Sequence, residues 1–320
     1  MNRFAALMLM SALLAFSIHA AEESASWWGE QRARDLRAEK LPQPYEGLER
    51  LYPPMPKPGP IDWLAEHTER EERGQFLSDY LASRPVRAGK HFKAIYIQPL
   101  GPLTKTEERI IQETGDYVQR HFGVPTKILG PMALTAVPES ARRKNPYTGQ
   151  EQLLTTYLLE SVLAPRRPQD AVAYVAFTAS DLWPGRGWNF VFGQASLNER
   201  VGVWSLHRNG NPDASPEEYK LVLLRTMKTA VHEIGHTLSM PHCVGFQCVM
   251  NGSNHRGESD RQPVALCPPC LAKVCWNTGR EPAEHFRQVM EFCEKHALKE
   301  EAAFFRKALE ALGTEVTNGK

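Results

Sequence analysis

The pattern of apolar and polar positions changes near residue 90 of this 320-residue chain. Residues 22–90 are polar and proline-rich, as in the stretch LPQPYEGLERLYPPMPKPGP. We expect an extended segment that wraps the surface, with a polar helix within residues 22–41. After residue 90, short apolar runs alternate with amphipathic stretches. This alternation predicts an α/β fold with a mostly parallel sheet and one antiparallel strand at its edge.

The individual elements follow from the same pattern. Apolar runs predict strands at residues 93–98, 125–129, 171–176, 190–192 and 201–206. Helical spacing predicts helices at residues 106–122, 150–163, 281–297 and 299–312. A further helix should begin at Pro216, with Ser215 as its N-cap, and end by about Ser239, because Pro241 disfavours helical backbone at the preceding residue. We expect residues 202–205 to form an edge strand, and residues 183–192 to form the rim of a cleft.

The first residues read as a targeting segment. Arg3 precedes an apolar run over residues 4–18, and Ala20 is a plausible cleavage position. The alternative is an uncleaved anchor, although the run is short for a membrane span. We therefore predict a signal peptide at residues 1–20, export to a periplasm or secretion, and no membrane association after cleavage. The remaining chain divides into the N-terminal wrapping segment (21–90) and a main domain (91–320) whose C-terminal helices cover about 281–312.

Charge and cysteine content narrow the chemistry. The chain has 38 Lys and Arg against 37 Asp and Glu, so its charge does not favour nucleic acid as a partner. We expect a monomer. All six cysteines lie between Cys243 and Cys293. Because a disulfide framework would normally be spread over the fold, this clustering favours a metal site.

The strongest motif is His232-Glu233-Ile234-Gly235-His236. Residues four apart on a helix share one face, so His232 and His236 can ligate one ion, while Glu233 can reach a metal-activated water. His242 follows ten residues after His232 and can be a third ligand if the chain reverses after the helix. That reversal normally uses glycine at positive φ, and here the position is Ser239. A surface helix with two histidines is the alternative for the motif alone.

The extended pattern is specific. HEIGHTLSMPHC, followed by Cys248-Val249-Met250 and then Cys267-Pro-Pro-Cys270, resembles the archaemetzincins, a family of zinc metallopeptidases within the metzincins. The stretches DWLAEH, AIYIQPLG, DLWPGRGWNFVFGQASL, VGVWSL and GSNH are similar to that family as well. Ser239 departs from the family's glycine, and the leader is not part of its pattern. The resemblance implies a metzincin-like fold with an active-site helix carrying H-E-x-x-H and a C-terminal zinc-bound subdomain with helices.

The resemblance also implies roles and cofactors. It assigns a catalytic Zn²⁺ to His232, His236 and His242, the general base to Glu233, and the methionine beneath the site to Met250. It implies a second, structural Zn²⁺ held by Cys243, Cys248, Cys267 and Cys270, and the C-x4-C and C-x2-C spacings match such a site independently. Two disulfides are the alternative for these four cysteines. Cys275 and Cys293 are compatible with two buried thiols or one disulfide, and Cys275 with a further metal ligand.

Together these features predict an exported zinc metallopeptidase, a hydrolase of peptide or protein substrates that uses a zinc-activated water with Glu233 as general base. The edge strand expected at residues 202–205 would pair with the extended peptide. The alternative is a zinc-stabilised binding protein with a vestigial peptidase site, which Ser239 would favour. A redox protein that uses Cys267 and Cys270 is a weaker alternative, because these residues lack the strand-to-helix context of a thioredoxin-like site.

Overall fold

The computed structural model describes Trp27 and residues 29–314. The predicted signal peptide at residues 1–20 lies outside the described residues, and export stays a prediction. Among the described residues, no helix has both the length and the apolar character needed to cross a bilayer.

The helices and strands, numbered in chain order, have the following bounds. The strands are β1 (Ala94–Leu100), β2 (Thr126–Ile128), β3 (Arg142–Lys144), β4 (Glu151–Leu154), β5 (Ala171–Thr178), β6 (Asp181–Trp183), β7 (Gly193–Ala195) and β8 (Val201–Ser205). The helices are α1 (Glu30–Arg37), α2 (Trp63–Glu66), α3 (Leu77–Ala82), α4 (Lys105–Phe122), α5 (Thr155–Tyr157), α6 (Pro216–Thr237), α7 (Arg256–Arg261), α8 (Pro268–Thr278), α9 (Pro282–Lys295) and α10 (Lys299–Ala311).

Within the described residues, five strands form the main sheet in the order β2-β1-β5-β8-β7. The first four are parallel, and β7 runs antiparallel to β8 at the edge. The predicted mixed α/β fold with a mostly parallel sheet is therefore confirmed. Every residue of β1 and β5 is buried, as expected for parallel strands covered on both faces.

Alternate side chains of these strands enter two hydrophobic cores. Ile95 and Ile97 belong to the larger core, which also contains the apolar faces of α4, α6, α8, α9 and α10. Ala94 and Tyr96 point to the opposite face and pack in a smaller core with Leu153. The sheet is thus the middle layer of the domain, and α6 lies across β5, β7 and β8.

The prediction of a helix over residues 150–163 is wrong at its start. Residues Glu151–Leu154 form β4, which pairs with β3 and β6, and helical turns begin only at Thr155. The Gln152 amide donates a hydrogen bond to Asp181 Oδ2 at 2.8 Å. Tertiary pairing with β6 therefore overrides an apolar pattern that suits a helix equally well.

The strand predicted at residues 190–192 is also misplaced, because β7 begins only at Gly193. Phe190 and Phe192 lie under guanidinium groups instead: Arg208 is 3.7 Å from the first ring centroid and Arg256 is 3.9 Å from the second. These cation–π contacts hold both aromatic side chains in place, while the Phe192 carbonyl still accepts a hydrogen bond from Ser205 N beside β8.

Candidate functional site

The three motif histidines come together at the end of α6. His232 and His236 lie one turn apart on the helix, with their Nε2 atoms 3.0 Å apart. His242 lies beyond the helix, and one ring nitrogen from each of the three residues is within 4.8 Å of the others. The structure thus brings together the three histidines that the sequence pairs only by spacing.

A Schellman turn places His242. The Met240 N–H donates to Gly235 O at 3.2 Å and the Ser239 N–H donates to His236 O at 2.8 Å. Ser239 has a φ of 65°, so this serine adopts the left-handed conformation that glycine usually supplies. The expected chain reversal is therefore present, and the sequence feature that favoured a vestigial site does not prevent the turn.

The orientation of the three rings defines what they can bind. His232 Nδ1 lies 2.8 Å from Val249 O, and His236 Nδ1 lies 2.7 Å from Met240 O. A carbonyl oxygen only accepts, so each Nδ1 carries the proton and each Nε2 of the neutral ring presents a lone pair. Burial is the main cause that lowers the pKa of His232 to about 3, and the nearby His242 is a second cause. The ring of His232 is therefore neutral.

Two lone pairs that face each other at 3.0 Å repel unless a cation lies between them. Two nitrogens bound tetrahedrally to one zinc at ~2.0–2.1 Å would be about 3.3 Å apart, close to the observed separation. The donor set therefore fits a divalent metal ion of the zinc type. His242 completes it, because its Nδ1 is engaged by Glu72 at 2.9 and 3.0 Å, which leaves Nε2 available.

Glu233 lies beside this group and is buried, with only 5% of its surface exposed. Within the described residues its Oε2 atom has no hydrogen-bond partner. Burial raises the pKa of Glu233 to about 8. An unpartnered carboxylate oxygen next to a cleft is poised to exchange a proton with a bound molecule, which is the requirement for a general base.

Met250 packs beneath the histidines. A Cβ atom placed on Gly235 would lie 2.4 Å from Met250 Sδ, so the thioether fills the space left by this glycine. The Cys243 N–H donates to Met250 O at 2.8 Å. These contacts agree with the predicted packing role and tie the methionine to the segment that follows His242.

The four predicted zinc cysteines form one cluster. Their sulfur atoms all lie within 4.8 Å of one another, and the sulfur atoms of Cys243 and Cys267 are 3.6 Å apart. A disulfide bond would require about 2.05 Å, so the structure has four thiols and not two disulfides. Backbone N–H groups of Cys267 and Met250 lie 3.3 and 3.5 Å from Cys248 Sγ. These donors would stabilise thiolate charge, which fits a closed tetrahedral zinc site.

Cys275 and Cys293 lie outside this cluster as separate, buried thiols. Burial raises the pKa of Cys275 to about 11 and also raises the pKa of Cys293. The sequence left open two buried thiols, one disulfide or a metal ligand at Cys275. Of these, the structure has two protonated thiols.

A cleft of about 670 Å³ opens at the histidines and Glu233. Its rim includes Trp188, whose side chain is 42% exposed, and the neighbouring residues from Asn189 to Phe192. The predicted rim over residues 183–192 is therefore found at the cleft. His255 also lines it and bonds to Asp62 at 3.0 Å, whereas the nearby Asp260 pairs with Arg225 at 2.6 Å.

The open sheet edge at the cleft is β7, and the expectation that residues 202–205 form the edge is wrong. β8 is paired on both sides, with β5 and with β7. Hydrogen bonds from Ser205 N to Phe192 O and from Ser196 N to Val201 O show which peptide groups face β8. By the alternation of an antiparallel ladder, the peptide groups of Gly193 and Ala195 face the cleft.

Three residues near the centre were given no individual role from the sequence. Gly193 approaches so closely that a Cβ there would lie 2.5 Å from Glu233 Oε1. Glu72 contacts His242 from within the charged run TEREER, where nothing distinguishes it from its neighbours. Burial opposes charge on Glu72, but hydrogen bonds from His242 and Trp63 outweigh it and lower its pKa. Trp63 (in DWLAEH) and Gly193 (in DLWPGRGWNFVFGQASL) lie in stretches that resemble the family, whereas nothing in the sequence marks Glu72.

The sequence of this chain is similar to known proteins of one family. Residues 171–275 match the sequence model described as Peptidase family M54. Archaemetzincin-2 of Mus musculus is 32% identical over 306 residues, covering 86% of this chain and 82% of that protein. Archaemetzincin of Pyrococcus furiosus is 30% identical over 188 residues, covering 58% of this chain and 94% of the relative.

Among solved structures, archaemetzincin (AmzA) from Archaeoglobus fulgidus, complexed with malonate, is 30% identical with a TM-score of 0.45. It covers 56% of this chain and 99% of its own. From the extent of its similarity to the mouse relative, this chain belongs to the archaemetzincin family of zinc metallopeptidases.

Proposed function

We propose that this protein is an active zinc metallopeptidase with His232, His236 and His242 as ligands of the catalytic metal. The observation that carries the proposal is the pair of Nε2 lone pairs of His232 and His236. These two atoms face each other at 3.0 Å and repel unless a cation lies between them. The buried, unpartnered Oε2 of Glu233 next to them supplies the base that hydrolysis needs.

The residues of the chain divide the chemistry. When bound, zinc supplies Lewis-acid chemistry that makes water more acidic and polarises a carbonyl group. Glu233 accepts the proton of the attacking water and delivers it to the leaving amine, so one carboxylate serves both halves of the reaction. Met250 and the backbone acceptors of the histidines keep the ligand rings in one orientation.

The substrate backbone binds along β7. The peptide groups of Gly193 and Ala195 face the cleft and have the spacing to pair with an extended chain. Since Gly193 also abuts Glu233, a chain bound there would run past the base. This arrangement suits peptides and unfolded segments, which can be extended at low cost.

A second zinc at the four cysteines would fix the segment that carries the third ligand. Cys243 follows His242 directly, and the Asn251 amide donates to Cys243 O at 2.7 Å and to Phe246 O at 3.0 Å. The closed thiolate site and this asparagine hold the turn from both ends. The proposal therefore predicts two zinc ions per chain by metal analysis.

The test is hydrolysis of a mixed peptide library by wild type, chelated and zinc-reloaded protein, and Glu233→Gln at equal zinc content. We expect chelation to abolish cleavage, zinc to restore it, and the Gln variant to lose roughly 10²–10⁴-fold in kcat. Glu217→Gln, an exposed carboxylate in the first turn of the same helix, is the matched control and should keep full activity.

Full activity in Glu233→Gln would exclude Glu233 as the base. A zinc-loaded wild type that binds library peptides without cleaving any would instead favour the zinc-stabilised binding protein. Either result can be interpreted, because Glu233→Gln, Glu217→Gln and wild type are compared at the same metal content.

We also propose that the chain is exported and that its signal peptide is cleaved after Ala20. Arg3 and the apolar run that follows it support this proposal. Mass spectrometry of the mature amino terminus tests this, and an intact Met1 in the exported or cell-associated protein would contradict it.

A further inference from the structure

We propose that Glu72 is a positioning residue for His242 and sets the affinity of the histidine site for its metal. The proposal rests on the proposed function, because it takes His242 as a ligand. Both carboxylate oxygens of Glu72 lie within hydrogen-bond distance of His242 Nδ1, at 2.9 and 3.0 Å. Glu72 is 8% exposed and lies outside the family match at residues 171–275.

The three histidines are oriented in two different ways. His232 and His236 are fixed by the helix and by backbone carbonyls. His242 lies on irregular chain after the Schellman turn, so no helix restricts its ring. Its Nδ1 partner is the side chain of Glu72, which brings a negative charge as well as an acceptor. A carboxylate on the far nitrogen fixes the tautomer and makes the ligating nitrogen a stronger donor to metal.

Glu72 is itself held in place. The indole N–H of Trp63 donates to Glu72 Oε1 at 2.7 Å. The Trp63 ring stacks on His67 at 3.8 Å and meets the His242 ring edge-on at 5.0 Å. The Trp63 backbone N–H donates to both carboxylate oxygens of Glu258, at 3.0 and 3.1 Å. The carboxylate therefore approaches His242 from a fixed direction.

The tryptophan in turn depends on Gly252. A Cβ at Gly252 would lie 2.5 Å from Trp63 Cδ1, so only glycine lets the indole ring rest on this backbone. Gly252 follows Met250 by two residues. The support of Glu72 thus reaches back to the segment beneath the histidines.

The segment that delivers Glu72 is also anchored at the cysteine loop. Pro54 bridges to Phe246, the Met55 N–H donates to Gly245 O at 3.1 Å, and the Gln247 N–H donates to Pro53 O at 2.9 Å. Residues 53–72 therefore contact the loop between Cys243 and Cys248 as well as His242. This double attachment makes the N-terminal segment part of the metal centre.

The experiment compares metal binding by wild type, Glu72→Gln and Glu71→Gln. Glu71 is the matched control, because it bonds to Thr68 and not to a histidine. Zinc dissociation constants come from competition with a chromophoric chelator. Cobalt titration separates the two sites, since only thiolate ligands give an intense sulfur-to-metal charge-transfer band.

We expect Glu72→Gln to weaken zinc at the histidine site about 10–100-fold, while cobalt at the cysteines is unchanged. Glu71→Gln should bind both metals as wild type does. Trp63→Phe, which keeps the stacking and removes the N–H donor to Glu72, should weaken the histidine site in the same direction but by less.

Wild-type zinc affinity in Glu72→Gln would overturn the proposal. Equal weakening of both metal sites, together with a lower Tm of the metal-free variant, would also overturn it, because that pattern indicates general destabilisation. If Glu72→Gln does not fold, an unchanged histidine site in Trp63→Phe decides against it. A wild type that takes no metal at its histidines would instead refute the proposed function.

Discussion

At the residue scale, an unusual choice is Ser239 in the left-handed position of the turn before His242. A non-glycine residue there costs about 1–3 kcal/mol relative to a relaxed backbone. The serine hydroxyl donates a hydrogen bond to Leu197 O at 3.2 Å. Such a bond stabilises the folded state by about 0.5–1.5 kcal/mol. The side chain therefore offsets part of the strain that its Cβ creates, and it ties the turn to the loop after β7.

Substitutions at this position separate the two effects. We expect Ser239→Ala to lower the free energy of unfolding by about 1 kcal/mol, because the hydrogen bond is lost and the strain remains. Ser239→Gly should be about 1 kcal/mol more stable than Ser239→Ala, since glycine relieves the backbone at a smaller cost in unfolded-state entropy. Urea unfolding of the zinc-loaded variants measures both differences. Equal stability of the Ala and Gly variants would show that the turn carries no strain.

At the element scale, the surroundings of Glu233 depend on how closely β7 approaches α6. Gly193 lies on the edge strand and Glu233 lies on the helix, and only a hydrogen atom fits between the Gly193 backbone and the carboxylate. The strand thus forms one wall of the pocket that holds Glu233. The position of the strand comes from pairing with β8, so the sheet sets the geometry around the Glu233 carboxylate.

Gly193→Ala tests this contact. The added methyl group would lie 2.5 Å from Glu233 Oε1 and must displace the carboxylate. We expect kcat to fall by roughly 10²-fold or more, since misplacement by about 1 Å costs that much, with folding retained. Gly130→Ala is the control, because a Cβ there meets nothing within 4 Å. Wild-type kcat in the Gly193 variant, measured at equal zinc content, would rule out the contact as a determinant.

The same elements show what the sequence could predict. Helix α6 and its motif were predictable because capping by Ser215 and the spacing of His232 and His236 are local properties. The edge strand β7 was not, because a three-residue strand has no period to detect and is defined only by its partner. Residues 151–154 were misassigned for the same reason, since pairing with β6 decides their conformation.

At the scale of the whole molecule, long-range packing places polar groups that no local pattern reveals. His121 of α4 and His285 of α9 are fully buried against each other, with ring centroids 4.6 Å apart. His285 Nδ1 donates to His121 O at 2.8 Å, whereas neither His121 ring nitrogen has a partner within the described residues. Burial lowers the pKa of His285 to about 3 and also lowers the pKa of His121 well below its usual range.

This pair makes stability depend on pH. Both rings are neutral in the folded protein, and in the unfolded chain they take up protons near pH 6.5. Above about pH 6.5, this pair therefore adds no pH dependence to the free energy of unfolding. Below that pH, the free energy of unfolding falls by about 1.4 kcal/mol per pH unit for each histidine. We expect His121→Leu to reduce the slope of unfolding free energy between about pH 6 and pH 5 by that amount. Urea unfolding of zinc-loaded protein measures it, and identical slopes in variant and wild type would contradict the assignment.

The contact between Glu72 and His242 joins residues 170 positions apart, and the cysteine cluster extends the metal centre to Cys270. Contacts of such separation form late, because the loop they close must first be ordered. A growing chain therefore exposes Glu72 long before its partner, and Cys267 and Cys270 are made after every ligand of the histidine site. Under the proposed function, cleavage would therefore await synthesis of the second cysteine pair and folding of the segment that carries His242.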